Sequence, residues 1–312
     1  MKVAVTGANG FVGRSVLARM AERGVDAVPL VRRPCDIPGE RVVGDLADGR
    51  LNPDDLAGVS AIVHLAARTH VMNETSDDPL AEYRRINVAG TAHLLETAAE
   101  AGVGRFVFMS SIKAVGEWSL PGEPLGPETV PRPEDAYGHS KLEAEALVKS
   151  HCDKTGMSFK IIRPPLVHGR EAKGNLARLG ALLRTGVPLP LASLRNARSI
   201  VGVENLADAT VAACLTDRSD GAILHIADLT VSTPQLIRLI GEATGQSARL
   251  FAFPPRLLRL LAQVSGLGNV GERLFGSLEL ATETSFAGLG WRPPVAGADA
   301  LRSSFAASAN TR

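Results

Sequence analysis

Tyr137-Gly138-His139-Ser140-Lys141 sets a phenol and an ammonium four residues apart. On a helix that spacing brings both side chains to one face, within reach of one small site. A phenol titrates near pH ~10, so it exchanges protons poorly at neutral pH unless a cation favours the phenolate. Lys141 supplies that cation one turn away. The pair suits proton exchange with a hydroxyl or carbonyl oxygen. Tyr-x-x-x-Lys also arises by chance, so its meaning depends on what else the chain carries.

The second chemical signature lies at the start. Val3-Ala4-Val5-Thr6-Gly7-Ala8-Asn9-Gly10-Phe11-Val12-Gly13 reads as a strand, a glycine-rich turn and a helix start. One glycine permits the tight bend, one lets backbone approach a pyrophosphate, and one lets helix and strand pack closely. The helix N-terminus offers N–H groups and a positive dipole end to the phosphates. Gly7, Gly10, Phe11, Val12 and Gly13 are therefore candidate dinucleotide contacts, spaced G-x-x-G-x-x-G. A turn without a ligand is the bland alternative.

The end of the next strand should meet the adenosine ribose, where many NAD enzymes place an acidic side chain. Here it reads Val31-Arg32-Arg33. Two guanidinium groups suit a 2′-phosphate, which favours NADP(H) over NAD. The alternative is two solvated charges with NAD bound. Asp45 and Leu46 are expected to border the adenine, although Asp45 could equally cap its loop.

These residues need a scaffold, and the pattern supplies one. Strands are expected over Val3–Val5, Ala27–Val31, Arg41–Val43, Ala61–Leu65, Arg105–Met109 and Lys160–Arg163. A helix is expected over Arg14–Arg23, ended by Gly24, and another around Tyr137 and Lys141. Continuous apolar strands alternating with helices predict a parallel sheet covered on both faces, a Rossmann-type doubly wound α/β fold. After Arg163-Pro164-Pro165 the rhythm loosens. Residues 186–194 read as a loop or short hairpin, and 233–243 and 255–264 as helices. The division expected is a dinucleotide-binding domain over 1–165 with interleaved segments near 196–230, and a smaller C-terminal substrate-binding lobe over 166–195 and 231–305. A tail over 306–312 closes the chain. The stripe Leu257-Leu258-Leu260-Leu261 reads as a lobe-packing helix, with a membrane-surface helix as the alternative.

Bulk properties narrow the class. Of 312 residues, 45% are hydrophobic and 21% charged, an ordinary soluble composition. A formal charge of +1 gives no preference for nucleic acid or membrane. Cys35, Cys152 and Cys214 lack metal-ligand spacing and read as thiols of a reducing cytoplasm, with no metal implied. The N-terminus shows no signal peptide.

Taken together, the motifs resemble the extended short-chain dehydrogenase/reductase family. They are Thr6-Gly7-x-x-Gly10-x-x-Gly13, Gly44-Asp45-Leu46, His64-Leu65-Ala66-Ala67, Asn87-Val88-x-Gly90-Thr91, Ser110-Ser111, Tyr137-x-x-x-Lys141 and Arg163-Pro164. Within the family the chain looks like the nucleotide-sugar branch of epimerases, dehydratases and reductases. The resemblance implies that Ser111 orients the substrate oxygen, Tyr137 is the acid–base, and Lys141 lowers the tyrosine pKa and holds the nicotinamide ribose. Ser111 is preferred to Ser110 by its offset from Gly116. Asn87 would support the site. Leu65, Ala66, Ala67, Arg68, Ser110 and Pro164 would line the cofactor. Asn175, before Leu176, and Arg198 resemble contacts to a sugar-nucleotide diphosphate, with Arg273 a further candidate. Gly288-Leu289-Gly290-Trp291-Arg292-Pro293 resembles a closing signature with a structural role.

Three reactions share the same proton and hydride exchange. Dehydratases of this branch follow the serine with an Asp-Glu pair, where this chain has Ile112-Lys113. That disfavours elimination. Arg32-Arg33 favours a dissociable NADPH, hence reduction of a C4 ketone. The stretches 106–117, 164–169 and 186–191 also resemble bacterial reductases of UDP-4-keto-6-deoxy-N-acetylhexosamines, which serve surface-polysaccharide synthesis. His168 departs from the tyrosine common at that point. A UDP-hexose 4-epimerase with retained NAD is the alternative, and a non-catalytic NADP(H)-binding protein the remote one. Lys113 is expected to touch the hexose or a phosphate. The family also implies a cytoplasmic homodimer paired through helices near 79–101 and 137–150, with Leu94, Leu95 and Ala98 as a candidate stripe.

Overall fold

The computed structural model describes residues 1–69, 78–172, 175–264 and 275–306. Seven strands form one parallel sheet: β1 (Lys2–Thr6), β2 (Asp26–Val31), β3 (Arg41–Val42), β4 (Ala61–His64), β5 (Arg105–Met109), β6 (Ser158–Arg163) and β9 (Ile223–His225). Their order is β3-β2-β1-β4-β5-β6-β9. The chain winds outward from β1 in one direction, then returns to lay β4 on its other side. This reversal opens a crevice at the carboxyl ends of β1 and β4, where such sheets bind ligands. All six expected strands are observed: the fifth has the expected bounds, the first, second and sixth extend by one or two residues, and the third and fourth stop one residue short. The second ends as expected, at Val31.

The strands are apolar on both faces because both faces are covered. Helices α1 (Phe11–Glu22) and α6 (Val203–Leu215) close one face, packing Val16, Met20, Leu206 and Val211 against Val3, Val5, Val63 and Val107. Helices α3 (Gly90–Glu100) and α4 (Ala136–Thr155) close the other, packing Leu94, Leu95, Ala98 and Val148 against Ile62, Phe106 and Ile161. Leu94, Leu95 and Ala98 are thus fully buried on the sheet and give no stripe for a partner subunit. The first helix ends as the sequence implies, with Gly24 left-handed at φ 64°.

A smaller three-stranded sheet, β10-β8-β7, stands beside the first. It comprises β7 (Leu166–His168), β8 (Arg198–Gly202) and β10 (Leu229–Val231). Helices α5 (Asn175–Arg184) and α7 (Thr233–Ala243) share a core with it, built on Leu176, Leu183, Ile200, Leu236, Ile237 and Leu301. The segment near 186–194 is no hairpin: Leu189 pairs in parallel with Leu250. Helix α8 (Pro255–Val264) forms as expected, but only Leu258 of its stripe packs on the lobe core. Leu257, Leu260 and Leu261 are 51%, 54% and 56% exposed. No helix among the described residues is long and apolar enough to cross a membrane.

The closing signature ties the late chain to the sheet. After α9 (Glu283–Leu289), Gly290 turns left-handed at φ 64°, and Trp291 Nε1 donates to Asp208 Oδ2 at 2.7 Å. Arg23 of the α1 end donates to the other oxygen of Asp208. The last helix, α10 (Gly297–Phe305), packs on α7.

Three histidines, His64, His168 and His225, sit at the carboxyl ends of β4, β7 and β9, all fully or almost fully buried. Burial pushes their pKa values down, to about 3 for His64 and about 4 for His168 and His225. The unfolded chain therefore binds protons that the folded chain refuses once pH falls below ~6.5. Folded stability is complete above that value and is lost on acidification toward pH 4. Each histidine costs roughly 2 kcal/mol by pH 5. Thermal melts between pH 7 and 5 should show a steep fall in Tm, and replacing His64 with Gln should flatten it.

Candidate active site

The cradle is built from backbone. Gly7 has φ 65°, and a Cβ there would lie 2.7 Å from the amide nitrogen of Ala66. A Cβ on Gly13 would lie 2.2 Å from the Gly7 carbonyl oxygen. No side chain larger than hydrogen fits at either position. Gly10 is the N-cap of α1 and has no side chain to occupy the first-turn N–H groups, so Phe11, Val12 and Gly13 present them outward. This is the geometry a dinucleotide pyrophosphate requires. Leu65, Ala66, Ala67 and Arg68, after β4, form the facing wall.

Wall and cradle are locked together by a directed chain of hydroxyls. Thr91 Oγ1 donates to the Asn87 carbonyl at 2.6 Å, so it must accept from His64 Nε2 at 2.9 Å. His64 Nδ1 then accepts from Thr6 Oγ1 at 2.6 Å, and Thr6 in turn accepts from the N–H groups of Leu65 and Ala66. The low pKa of His64 agrees with this neutral tautomer. Asn87 completes the lock. Its Oδ1 accepts from Arg68 N at 2.7 Å, and its Nδ2 donates to the Arg68 carbonyl and to Ser140 Oγ. Asn87 lies in a π-helical turn, Arg84–Ala89, between α2 (Pro79–Tyr83) and α3. The wider turn swings its amide inward, as π-turns at functional sites do.

Helix α4 carries Tyr137 and Lys141 on one face, as the spacing predicts. Ser111 follows β5, and its hydroxyl hydrogen-bonds the Tyr137 phenol. The electrostatics differ from the expected coupling. Burial pushes the Tyr137 pKa up to about 12, with Asp135 and Tyr83 adding to the rise and the Ser111 bond opposing it. Lys141 is 2% exposed with its ammonium 4.3 Å from the centre of the Phe108 ring. Its pKa falls to about 7 because burial outweighs the attraction of Glu145. Desolvation, not the lysine charge, therefore governs the phenol, and Tyr137 rests as a neutral proton donor.

Beneath the site lies a buried ion pair absent from the sequence reading. Arg163 forks onto Glu145 at 2.6 and 2.8 Å, and Ser110 donates to the same carboxylate. The Pro164 carbonyl accepts from Ile112 N and anchors the loop after Ser111. Glu145 stands four residues past Lys141 on the same helical face, which was the available signal.

The remaining candidates divide. Arg32 and Arg33 are exposed at the end of β2, with no hydrogen bond or ion pair among the described residues. Asp45 caps the short turn Leu46–Asp48 through Ala47 N, the alternative of its two expected roles, while Leu46 lies against Gly90. Arg198, on β8, is partly buried and donates to the Gly276 carbonyl at 3.1 Å. Asn175 opens α5, its side chain lying outside the description, and Arg273 lies outside the described residues. Lys113 does not stand free for a sugar. Its ammonium donates to Glu117 at 2.6 Å and Asp135 at 2.5 Å. Among the described residues no cluster could hold a metal ion.

The model of the NAD dependent epimerase/dehydratase family matches residues 3–227. The chain belongs to that family. It is 33% identical to a UDP-glucose 4-epimerase of Vibrio cholerae over 297 residues, 94% of this chain and 90% of that protein. A UDP-glucose 4-epimerase of Streptococcus mutans is 28% identical, with 94% and 92% covered. MoeE5 in complex with UDP-glucuronic acid and NAD superposes with a TM-score of 0.77 at 25% identity, covering 98% of each chain. The UDP-glucose 4-epimerase of Thermotoga maritima with UDP-glucose gives the same TM-score at 20% identity, covering 98% and 97%, and so supports the fold. The extended short-chain dehydrogenase/reductase resemblance read from the motifs is met. This epimerase/dehydratase-family chain is an NAD-dependent type of enzyme, and its glycine turn has the shape that cofactor needs.

The cradle gives a direct test. Gly13→Ala forces a methyl into the Gly7 carbonyl, and relief requires moving backbone. Dinucleotide affinity should fall by at least tenfold, read by tryptophan fluorescence or calorimetry, with a loss of about 1–3 kcal/mol in stability. Unchanged affinity would mean that the pyrophosphate lies elsewhere.

Proposed function

We propose that this enzyme exchanges hydride and a proton at C4 of a UDP-sugar, and that its physiological direction is reduction of a UDP-4-keto-6-deoxy-N-acetylhexosamine by NADPH. One observation carries the reading: Ser111 is bonded to a Tyr137 phenol held in its proton-donating form. A neutral phenol is the state needed to protonate a carbonyl oxygen as it becomes an alkoxide.

The residues then have distinct tasks. Phe11, Val12 and Gly13 would hold the pyrophosphate, Ala66 and Ala67 would flank the cofactor, and Lys141 would meet the nicotinamide ribose. When bound, the nicotinamide supplies or receives hydride. Ser111 orients the C4 oxygen toward Tyr137, and Tyr137 gives it a proton. Holding oxygen, phenol and cofactor in one geometry removes much of the entropic barrier. Arg198 would meet the diphosphate of the substrate. Elimination lacks support: Ile112 is buried and Lys113 is paired, so the two positions directly after Ser111 offer no free acid or base.

The cofactor preference rests on Arg32 and Arg33, whose guanidinium groups are exposed and have no partner among the described residues, and so suit a 2′-phosphate. A 4-epimerase retaining NAD is the second reading, favoured by the name of the Vibrio relative. A role in surface-polysaccharide synthesis follows from the reductase reading.

Purified enzyme should oxidise NADPH with a UDP-4-keto-6-deoxy sugar, and Tyr137→Phe should lower kcat by about a hundredfold or more. Turnover retained in that variant would remove the assigned acid. Interconversion of UDP-glucose and UDP-galactose with co-purifying NAD would establish the epimerase instead. Replacing Arg32 and Arg33 with Ala should raise KM for NADPH about tenfold and leave NADH unaffected. Equal effects on both cofactors would refute the 2′-phosphate contact.

A further inference from the structure

Lys113 ties its own loop to the start of α4. Its side chain folds back from the loop that follows Ser111 and is 16% exposed. Glu117, four residues on, and Asp135, at the start of α4, both grip the ammonium. Asp135 divides its oxygens between two duties. Oδ1 accepts from Gly138 N at 2.7 Å and caps α4, while Oδ2 takes Lys113. The two elements also touch through backbone, since a Cβ on Gly138 would lie 2.4 Å from the Lys113 carbonyl oxygen. Lys113 N donates to Ser111 Oγ at 3.2 Å. One residue thus joins the hydroxyl loop to the cap of α4, the helix that carries Tyr137 in its first turn. The three charges sum to minus one, so the cluster repels a diphosphate instead of attracting it.

We infer that Lys113 is a positioning residue, which fixes the Ser111 loop against the Tyr137 helix and offsets the Asp135 carboxylate beside the phenol. This rests on the proposed function only in that Ser111 and Tyr137 act on substrate. The groups bearing on the Tyr137 phenol are Ser111 from the loop, Asp135 at the cap of its own helix and Tyr83 from α2, whose ring centre is 6.0 Å away; Lys113, with Glu117, reaches it through Asp135, and Lys141 follows one turn on along α4. The Arg68 guanidinium stacks 5.2 Å from the Tyr83 ring centre. Of these, Asp135 and Tyr83 raise the phenol pKa and Ser111 lowers it. Without Lys113 the Asp135 charge acts on the phenol uncompensated.

The chain has only two tyrosines, so Tyr83→Phe leaves Tyr137 as the sole phenol. Biosynthetic 3,5-difluorotyrosine, a more acidic phenol, brings its ionisation into a range the fold tolerates, and ¹⁹F NMR reads it. In that background Lys113→Met should raise the midpoint by about half to one pH unit, and Asp135→Asn, which keeps the helix cap, should lower it similarly. The double variant should return to within about 0.3 of the parent. Midpoints unmoved in both single variants would overturn the inference. In otherwise wild-type enzyme, Lys113→Met should lower kcat about tenfold with KM for the nucleotide sugar within about twofold, and Lys113→Arg should restore most of it. A raised KM with kcat unchanged would overturn it in favour of a substrate contact. If the parent enzyme turns over no nucleotide sugar, the proposed function fails, while the ¹⁹F titration still decides the role of Lys113.

Discussion

Everything at the site depends on how closely two backbone segments approach at the carboxyl end of β1. The Gly7 turn lies against Ala66, and the start of α1 lies against the Gly7 carbonyl, so that only hydrogen fits at Gly7 and Gly13. This contact brings the first N–H groups of a helix to the crevice where the strand order reverses. A crevice of that kind forms in a parallel sheet because neighbouring connections leave in opposite directions. The sheet core, buried on both faces by four helices, supplies the rigidity that holds backbone at this distance.

Close approach alone would leave buried polar groups without partners. The chain resolves this with a continuous polar seam, from Thr6 through His64 and Thr91 to Asn87, and from Asn87 through Ser140 to the Tyr137 carbonyl, with the Arg68 backbone held by the same Asn87 amide. The wall beside the glycine turn and the start of the Tyr137 helix are thereby parts of one hydrogen-bonded body. Below them, Glu145 and Arg163 form a fully buried pair that fixes Ser110, the neighbour of Ser111. Breaking a pair of this type leaves an uncompensated charge and is strongly destabilising. Tyr137 is therefore positioned by a hydrogen-bonded body behind it.

Much of the scaffold was legible in the sequence. Buried parallel strands are continuous apolar runs, and helices 233–243 and 255–264 carry clear periodicity, so their positions follow from local pattern. The cradle and the Tyr137–Lys141 face were legible for the same reason, because both are set by spacing within one element. Long-range relations were less accessible. Leu94, Leu95 and Ala98 have a spacing that fits either a sheet or a partner, and only the packing of α3 decides for the sheet. The charge on Lys113 gives no hint of Asp135, which is 22 residues away in sequence. The balance of desolvation and charge at Tyr137 depends on burial, which the pentad does not encode. The leucines of α8 share the pattern of a packed helix, yet three of the four named remain exposed.

The central claim is that Tyr137 and Ser111 serve hydride exchange at C4 of a UDP-sugar. It is tested most directly by supplying NADPH deuterated at the transferable position of the nicotinamide, together with a UDP-4-keto-6-deoxy-N-acetylhexosamine, and locating the deuterium by NMR. The account predicts a product carrying one deuterium at C4. A product labelled at any other carbon, or turnover that leaves C4 unlabelled, would contradict it.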